Sequence, residues 1–252
     1  MNKSVKILNK NGERLDVLIE GNLESKVTIV FVHGLGVTKD ESFQYFVDIS
    51  KELQSLYRIV RFDLSGYGLS EGKQEDANYI KHADDLDKIL KYIRTNIGNE
   101  IYLLAHSMGC FVTSLLSPEG VTKSVFTGLP NHNVEYLKGR LIQRILGRKG
   151  SLVNLDSVTI FPRSNGEVQK IGSSFWQVLS DFNPLQKVTE FSQKTSLLII
   201  HPAQDDVVGI EYLEKYRQIT TSKTLWLPGD HSFQKMDDRN KVIESIKDFY
   251  KF

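Results

Sequence analysis

Cysteine is nearly absent from this chain of 252 residues, which contains a single one, Cys110. One cysteine excludes a disulfide within the chain and suits a reducing compartment, so we expect a cytoplasmic protein. The amino-terminal residues include lysines but no apolar segment typical of a secretory signal, which agrees with that expectation. Cys110 lies in an apolar segment, and we expect a buried structural thiol there.

Long apolar runs and a strong excess of charge are also missing. No apolar run approaches the roughly 18 residues that span a bilayer, so we expect no stable membrane insertion. The formal net charge is +1, which gives no general attraction to nucleic acid. Hydrophobic residues make up 40% of the chain, which is enough for a sizeable core. We therefore expect a globular protein whose partner is a small molecule.

Motifs for nucleotides and metals are incomplete or missing. Neither Gly34-x-Gly36 nor Gly66-x-Gly68 continues into the dinucleotide fingerprint G-x-G-x-x-G. The chain contains no G-K-[ST] phosphate loop and no H-E-x-x-H zinc motif. We therefore predict neither a cofactor nor a metal site.

Apolar runs typical of buried strands alternate with segments of helical spacing. After an amino-terminal hairpin around Asn11-Gly12, the pattern predicts strands at 27–32, 57–62, 101–105, 124–127, 197–200 and 224–227. Helices are predicted at about 41–56, 79–97, 209–219 and 241–249. This alternation predicts an α/β fold, with a mostly parallel twisted sheet flanked by helices.

The alternation pauses between residues 131 and 194. This segment contains a predicted helix at 134–146, a strand at 157–161, a turn at 163–166 and a helix near 175–179. We predict a core of residues 1–130 and 195–252, with 131–194 inserted over the sheet as a small lid or cap. Arg140, Arg144 and Arg148 form one helical stripe, which we expect to face solvent. The alternatives are a lid over an acyl pocket and a basic patch that meets an acidic substrate.

Residues able to carry out catalysis follow the predicted strands. Ser107 stands between an apolar strand and an apolar helix in A-x-S-x-G, a variant of the nucleophile-elbow motif with Ala105 in place of glycine. Asp205 follows the strand at 197–200, and His231 follows the strand at 224–227. Because the carboxyl ends of parallel strands meet at one edge, these side chains are expected to converge. A serine hydroxyl needs a base, and the base needs an orienting carboxylate, so we predict Ser107, His231 and Asp205 as catalytic residues.

Two alternatives to this triad remain open. Asp206 could replace Asp205, because sequence alone does not separate adjacent carboxylates. Ser107 could instead cap a helix of the core.

Backbone N–H groups are predicted to bind the negative charge that develops on an attacked carbonyl. One belongs to Met108, directly after Ser107, and the other to Leu35 in the glycine-rich turn after the first long strand. Gly34 and His132 are predicted substrate contacts. Three of the remaining histidines are predicted to be structural, namely His33, His106 and His201. His82 is predicted to be solvated on a helix.

The sequence resembles the α/β-hydrolase superfamily over essentially its whole length. The matching segments are H-G-L-G at 33–36, F-D-L-S-G-Y-G-L-S at 62–70, A-H-S-M-G at 105–109, D-D-V-V at 205–208 and G-D-H-S-F at 229–233. The F-D-x-S-G-x-G segment and a hairpin in the insertion resemble small-lidded bacterial feruloyl and cinnamoyl esterases. The resemblance implies an α/β-hydrolase fold and a serine carboxylesterase that forms an acyl-enzyme. In this family the acid is the first aspartate of D-x-x-V, which favours Asp205.

Other functions of the same machinery stay open. It could cleave thioesters, lysophospholipids or monoacylglycerols, or transfer acyl groups, because the pocket and its access to water decide between these reactions. A hydrolase-fold binding protein without catalysis is the alternative from another class. A homodimer is also compatible with the sequence.

Overall fold

The computed structural model describes residues 2–98, 100–163 and 166–251. The strands are β1 (Lys3–Leu8), β2 (Arg14–Gly21), β3 (Val27–Val32), β4 (Arg58–Phe62), β5 (Glu100–His106), β6 (Val121–Thr127), β7 (Val158–Pro162), β8 (Val168–Gly172), β9 (Ser196–Pro202) and β10 (Ser222–Leu227). The α-helices are α1 (Tyr45–Leu53), α2 (Tyr79–Asn96), α3 (Met108–Leu116), α4 (Val134–Leu146), α5 (Ser173–Asp181), α6 (Pro184–Ser192) and α7 (Met236–Tyr250). Short 3₁₀ helices lie at Ser42–Gln44, Gln74–Asp76 and Leu213–Gln218.

One twisted sheet runs through the molecule in the order β1-β2-β4-β3-β5-β6-β9-β10. From β4 to β10 each neighbouring pair is parallel, and β2 pairs antiparallel with both β1 and β4. The predicted amino-terminal hairpin is confirmed by the β1–β2 pairing, whose turn holds Gly12 at a φ of 77°. The predicted mostly parallel sheet is confirmed as well.

Side chains of the central strands alternate between two apolar clusters, one on each face of the sheet. In β3, Ile29 and Phe31 pack with α1 and α7, whereas Val30 and Val32 pack with α2 and α3. All six residues of β3 are buried, as expected for a strand covered on both faces. The carboxyl ends of β3, β5, β9 and β10 therefore share one edge of a sheet that is enclosed by helices.

The insertion contains a helix, a hairpin and two further helices. The predicted helix at 134–146 is confirmed as α4, and the predicted hairpin forms from β7 and β8, which pair antiparallel. Residues 164 and 165 of the predicted turn lie outside the described residues. The sequence analysis missed α6, although Asn183 caps it and Pro184 opens it. This helix packs on the core through Phe191, whose ring stacks on that of Phe126 at 5.6 Å.

Several predicted helix boundaries were wrong. The predicted helix at 209–219 is only a 3₁₀ helix over Leu213–Gln218, because Gly209 and Tyr212 before it have left-handed backbones, with φ of 74° and 68°. The closing helix begins at Met236 rather than at residue 241. Two aspartates in the first turn after Met236 complement the helix dipole. None of the described helices is both long and apolar enough to cross a lipid bilayer.

Candidate active site

Ser107 lies in the sharp turn between β5 and α3. Its backbone has a φ of 53° and a ψ of −125°, a strained conformation for a residue other than glycine. The turn is held to β6, since the Ser107 N–H donates to the Thr127 carbonyl at 3.0 Å. A Cβ at Gly109 would overlap the Val32 carbonyl on β3, so this position admits only glycine. Ala105 is fully buried in β5, and the turn forms with alanine there.

The predicted serine, histidine and aspartate meet at the edge of the sheet. Ser107 Oγ lies 2.9 Å from His231 Nε2, and His231 Nδ1 lies 2.7 Å from Asp205 Oδ2. The other oxygen of Asp205 accepts the N–H groups of Val207 and Val208, each at 3.0 Å. The serine can therefore donate its proton to the imidazole, while a fixed carboxylate holds the opposite ring nitrogen. We call these three side chains the floor of the site: Ser107, His231 and Asp205.

The adjacent carboxylates, Asp205 and Asp206, have opposite environments. The Asp205 side chain is fully buried against the imidazole. The Asp206 side chain is 71% exposed and lies 3.1 Å from Arg144 on α4. The structure thus brings Asp205 to His231 and leaves Asp206 at the surface of the site.

The electrostatics of His231 and Asp205 are coupled. Burial would lower the pKa of His231, but the charge of Asp205 and its hydrogen bond outweigh burial, so this pKa lies above its usual value. Burial would raise the pKa of Asp205, but His231 and two backbone N–H groups hold that pKa below its usual range. The carboxylate is therefore ionised near neutral pH and stabilises a protonated imidazole.

The glycine-rich turn after β3 lies against the serine. A Cβ at Gly34 would come within 3.1 Å of the Ser107 Cβ. His33 fixes this turn, because its Nδ1 lies 2.8 Å from the Gly34 carbonyl and its Nε2 accepts the Leu64 N–H at 2.9 Å. Gly34, Leu35 and Met108 all line the same cavity as Ser107. Met108 is the first residue of α3, where the helix leaves its N–H groups unpaired.

Glu41 is a buried carboxyl group of the site that the sequence analysis missed. It accepts the N–H of Gly34, and its second oxygen accepts the N–H of Ser42 at 3.1 Å. Burial raises the pKa of Glu41 to about 7, against the opposing effect of those N–H groups. Three residues here have positive φ, namely 60° at Glu41, 55° at Phe43 and 59° at Gln44. The only available signal was the short distance in sequence from the turn at 33–36, since residue 41 was assigned to a helix.

The remaining histidines have different surroundings. His106 is fully buried, contacts Thr127 Oγ1 at 2.9 Å and packs its ring against that of His231 at 4.8 Å. His201 is buried between aromatic rings. The expectation that His82 is solvated is wrong, because this residue shares the buried face of α2 with Leu86. His132 packs on Tyr216 and is not among the residues that line the cavity, so the structure does not bring it to the site.

A cavity of 490 Å³ lies over Ser107, between the sheet edge and the insertion. Apolar side chains of α4 and of the β7–β8 hairpin form part of its wall, including Leu137, Leu141 and Phe161. The expectation that the arginine stripe of α4 faces solvent is confirmed for Arg144, which is exposed, whereas Arg140 and Arg148 are half-buried. Arg140 and Arg144 both donate to the Asp206 carbonyl of the loop after β9. The described residues contain no cluster of three side chains that could hold a metal ion.

Solved structures share this fold. The esterase domain of a Rhodothermus marinus protein has a TM-score of 0.72 and 20% identity, with 98% of this chain and 96% of that chain covered. Est1E from Butyrivibrio proteoclasticus, solved with ferulic acid, has a TM-score of 0.77 and 17% identity, with 97% of each chain covered. The Pyrococcus furiosus esterase Pf2001 has a TM-score of 0.72 and 16% identity, with 100% and 92% covered.

Sequence similarity gives the family. No curated protein sequence matches the chain significantly. The family model described as the alpha/beta hydrolase family matches residues 29–235, which include the turn at 33–36 and all three residues of the floor. The protein therefore belongs to the alpha/beta hydrolase family.

Proposed function

We propose that this protein is a serine esterase that cleaves carboxylic esters through an acyl-enzyme intermediate. The observation that carries the proposal is the unbroken hydrogen-bonded chain from Ser107 through His231 to Asp205, beneath a cavity large enough for a small ester. A module that only binds ligands needs none of these contacts together, which argues against a non-catalytic role. The described esterases of the same fold also support the proposal.

The first half of the reaction transfers the acyl group to the enzyme. Ser107 Oγ attacks the ester carbonyl carbon while His231 Nε2 accepts the hydroxyl proton. The carbonyl oxygen becomes an oxyanion, for which the N–H groups of Leu35 and Met108 are the proposed donors. His231 then gives its proton to the departing alcohol oxygen, which leaves the acyl group bonded to Ser107.

The second half returns the enzyme to its starting state. A water molecule gives a proton to His231 and attacks the acyl carbon, and the same N–H groups stabilise the second oxyanion. The imidazolium proton returns to Ser107 as the acyl bond breaks. The net reaction converts one ester and one water into a carboxylic acid and an alcohol. Throughout, Asp205 stabilises the imidazolium and keeps its ring oriented.

The test is covalent labelling of the folded protein with a fluorophosphonate, together with hydrolysis of 4-nitrophenyl butyrate. We expect labelling at Ser107, and we expect Ser107→Ala to lose both labelling and nearly all hydrolysis. The matched control is Ser157→Ala, since Ser157 is exposed and outside the cavity. A wild-type protein that is neither labelled nor active would favour the binding module.

The substrate panel separates the finer alternatives. It contains a feruloyl ester, because Est1E was solved with ferulic acid. It also contains a monoacylglycerol, a lysophospholipid and a matched pair of ester and thioester. Faster turnover of the thioester would replace the esterase proposal with a thioesterase on the same three side chains.

A further inference from the structure

The insertion presents three arginines to the cavity. Arg144 comes from α4, Arg148 follows the end of α4, and Arg163 follows β7. We call these three residues the basic roof. Their charges are concentrated above the floor, in a protein whose net charge is only +1. A cluster of this kind calls for an explanation in terms of what it contacts.

The three arginines differ in their partners. Arg144 forms a salt bridge with Asp206 at 3.1 Å. Arg148 donates to the Pro162 carbonyl at 3.0 Å, and its guanidinium lies over the Phe161 ring at 5.1 Å. In residues 2–98, 100–163 and 166–251, neither Arg148 nor Arg163 forms a salt bridge with a carboxylate. Two guanidinium groups of the roof are therefore left without a counter-charge in direct contact.

The other acids that line the cavity are already engaged. The side chain of Asp230 accepts the Gln234 N–H at 3.0 Å, beside His231. Glu41 accepts the N–H groups of the turn, and burial raises its pKa to about 7, so that much of it is uncharged near neutral pH. Burial and the neighbouring charges of Arg163 and Arg144 lower the pKa of Arg148. An additional anion would relieve this repulsion.

The basic roof reaches close to the point of chemistry. A Cβ at Gly36 would overlap both the guanidinium of Arg163 and the side-chain oxygen of Gln169. Gly36 lies two residues beyond Gly34, which touches Ser107, and two residues of chain span at most about 7 Å. Arg163 thus lies over the same turn that is proposed to bind the oxyanion. A group bound by Arg163 would therefore lie near the proposed position of the oxyanion.

We propose that Arg148 and Arg163 bind an anionic group of the substrate, so that the preferred esters carry a carboxylate or a phosphate near the scissile bond. The proposal rests on the esterase function proposed above and adds the class of substrate. Planar guanidinium groups suit both anions because they donate paired, charge-assisted hydrogen bonds. Arg144, already paired with Asp206, closes the side of the subsite.

The test compares esters that differ only in charge. The first pair carries the charge on the acyl half: the 4-nitrophenyl monoester of adipic acid and its neutral amide, 4-nitrophenyl adipamate. The second pair carries it on the alcohol half: 4-carboxyphenyl butyrate and 4-carbamoylphenyl butyrate. An amide matches a carboxylate in shape, so the ratio of kcat/KM within a pair isolates the charge. A phosphonate analogue of the acyl pair distinguishes phosphate-bearing from carboxylate-bearing substrates.

In the wild-type protein we expect the anionic member of at least one pair to have a kcat/KM about tenfold higher, the size of a charge-assisted contact. The double variant Arg148→Met/Arg163→Met should reduce that ratio to about one. Arg217→Met is the matched control, since Arg217 is exposed, pairs with Glu214 and lies outside the cavity. It should keep the full ratio.

The outcomes separate this proposal from the esterase proposal. If the neutral esters are hydrolysed but charge makes no difference in either pair, the anion subsite is wrong and the esterase stands. A preference that survives in the double variant also overturns the assignment to Arg148 and Arg163. If Ser107 carries no activity towards any ester, the esterase proposal itself fails. A fall in neutral activity with an unchanged charge ratio in the double variant would show that the two arginines only support the hairpin.

Discussion

The floor and the basic roof of the cavity differ in how fully their polar groups are paired within the protein. In the floor each polar atom has a protein partner at 2.7–3.0 Å, and the carboxylate is buried. In the roof two guanidinium groups have no carboxylate in contact among the described residues. A preorganised floor suits chemistry that is common to many esters, because its dipoles need no rearrangement during the reaction. The two unpaired guanidinium groups of the roof suit discrimination between substrates, because an anionic group of the substrate would supply the missing partner.

The largest expected effect is the difference in kcat between a substitution of Asp205 and the same substitution of Asp206. Asp205→Asn should lower kcat by about 10⁴-fold, because the amide no longer stabilises the imidazolium or its tautomer. Asp206→Asn should lower kcat by at most about threefold, since the described residues give its side chain no salt bridge besides the exposed one to Arg144. Steady-state kinetics on 4-nitrophenyl butyrate measure both. Similar losses in the two variants would contradict the assignment of the orienting role to Asp205.

Substitutions at two glycines compare the packing beside Ser107 with the packing of α4. Gly109→Ala should lower the free energy of unfolding by about 3 kcal/mol or more, because the new Cβ would overlap the Val32 carbonyl. A Cβ added at Gly139 on α4 would meet no neighbouring atom within 4 Å. Gly139→Ala should therefore raise that free energy by about 0.5–1 kcal/mol through helix propensity. Denaturation by urea measures both. A neutral Gly109→Ala would mean that the elbow can relax.

The buried carboxyl group of Glu41 should make the stability of the folded protein depend on pH. Its pKa is about 7 in the folded protein and 4.5 for an ordinary glutamate, so the folded state holds the proton more tightly. The free energy of unfolding should therefore fall as pH rises, by about 2–3 kcal/mol between pH 5 and 8. Glu41→Gln should lose this component. Equal pH dependence in the wild type and the variant would contradict the raised pKa.

The smallest effect concerns the acid limb of activity. His231 must be neutral to accept a proton, and its pKa is raised above its usual value of 6.5, so the acid limb of activity should lie at higher pH than an ordinary histidine would give. The charge of Glu41 contributes to that rise. Glu41→Gln should therefore move the limb of the kcat/KM profile to lower pH. A shift in the opposite direction would show that Glu41 acts on the turn rather than on His231.

Local patterns predicted the parts of the molecule that are stabilised locally. The nearly continuous apolar run at 27–32 predicted β3, because a strand buried on both faces carries few polar residues. The amphipathic run at 134–146 predicted α4. The predicted helix at 209–219 was wrong because two left-handed residues interrupt the segment. One of them is Tyr212, and tyrosine is not a residue type that predicts a left-handed backbone.

The sequence by itself determined the order of strands and helices, the strained turn at Ser107 and the residues that follow each strand. These depend on apolar periodicity and on small residues, which act over a few positions. Tertiary structure decided that Asp205 contacts His231 while Asp206 stays exposed, that Glu41 is buried and that arginines of the insertion line the cavity. The reason is physical: a side chain's partner and its loss of water depend on segments far apart in the chain.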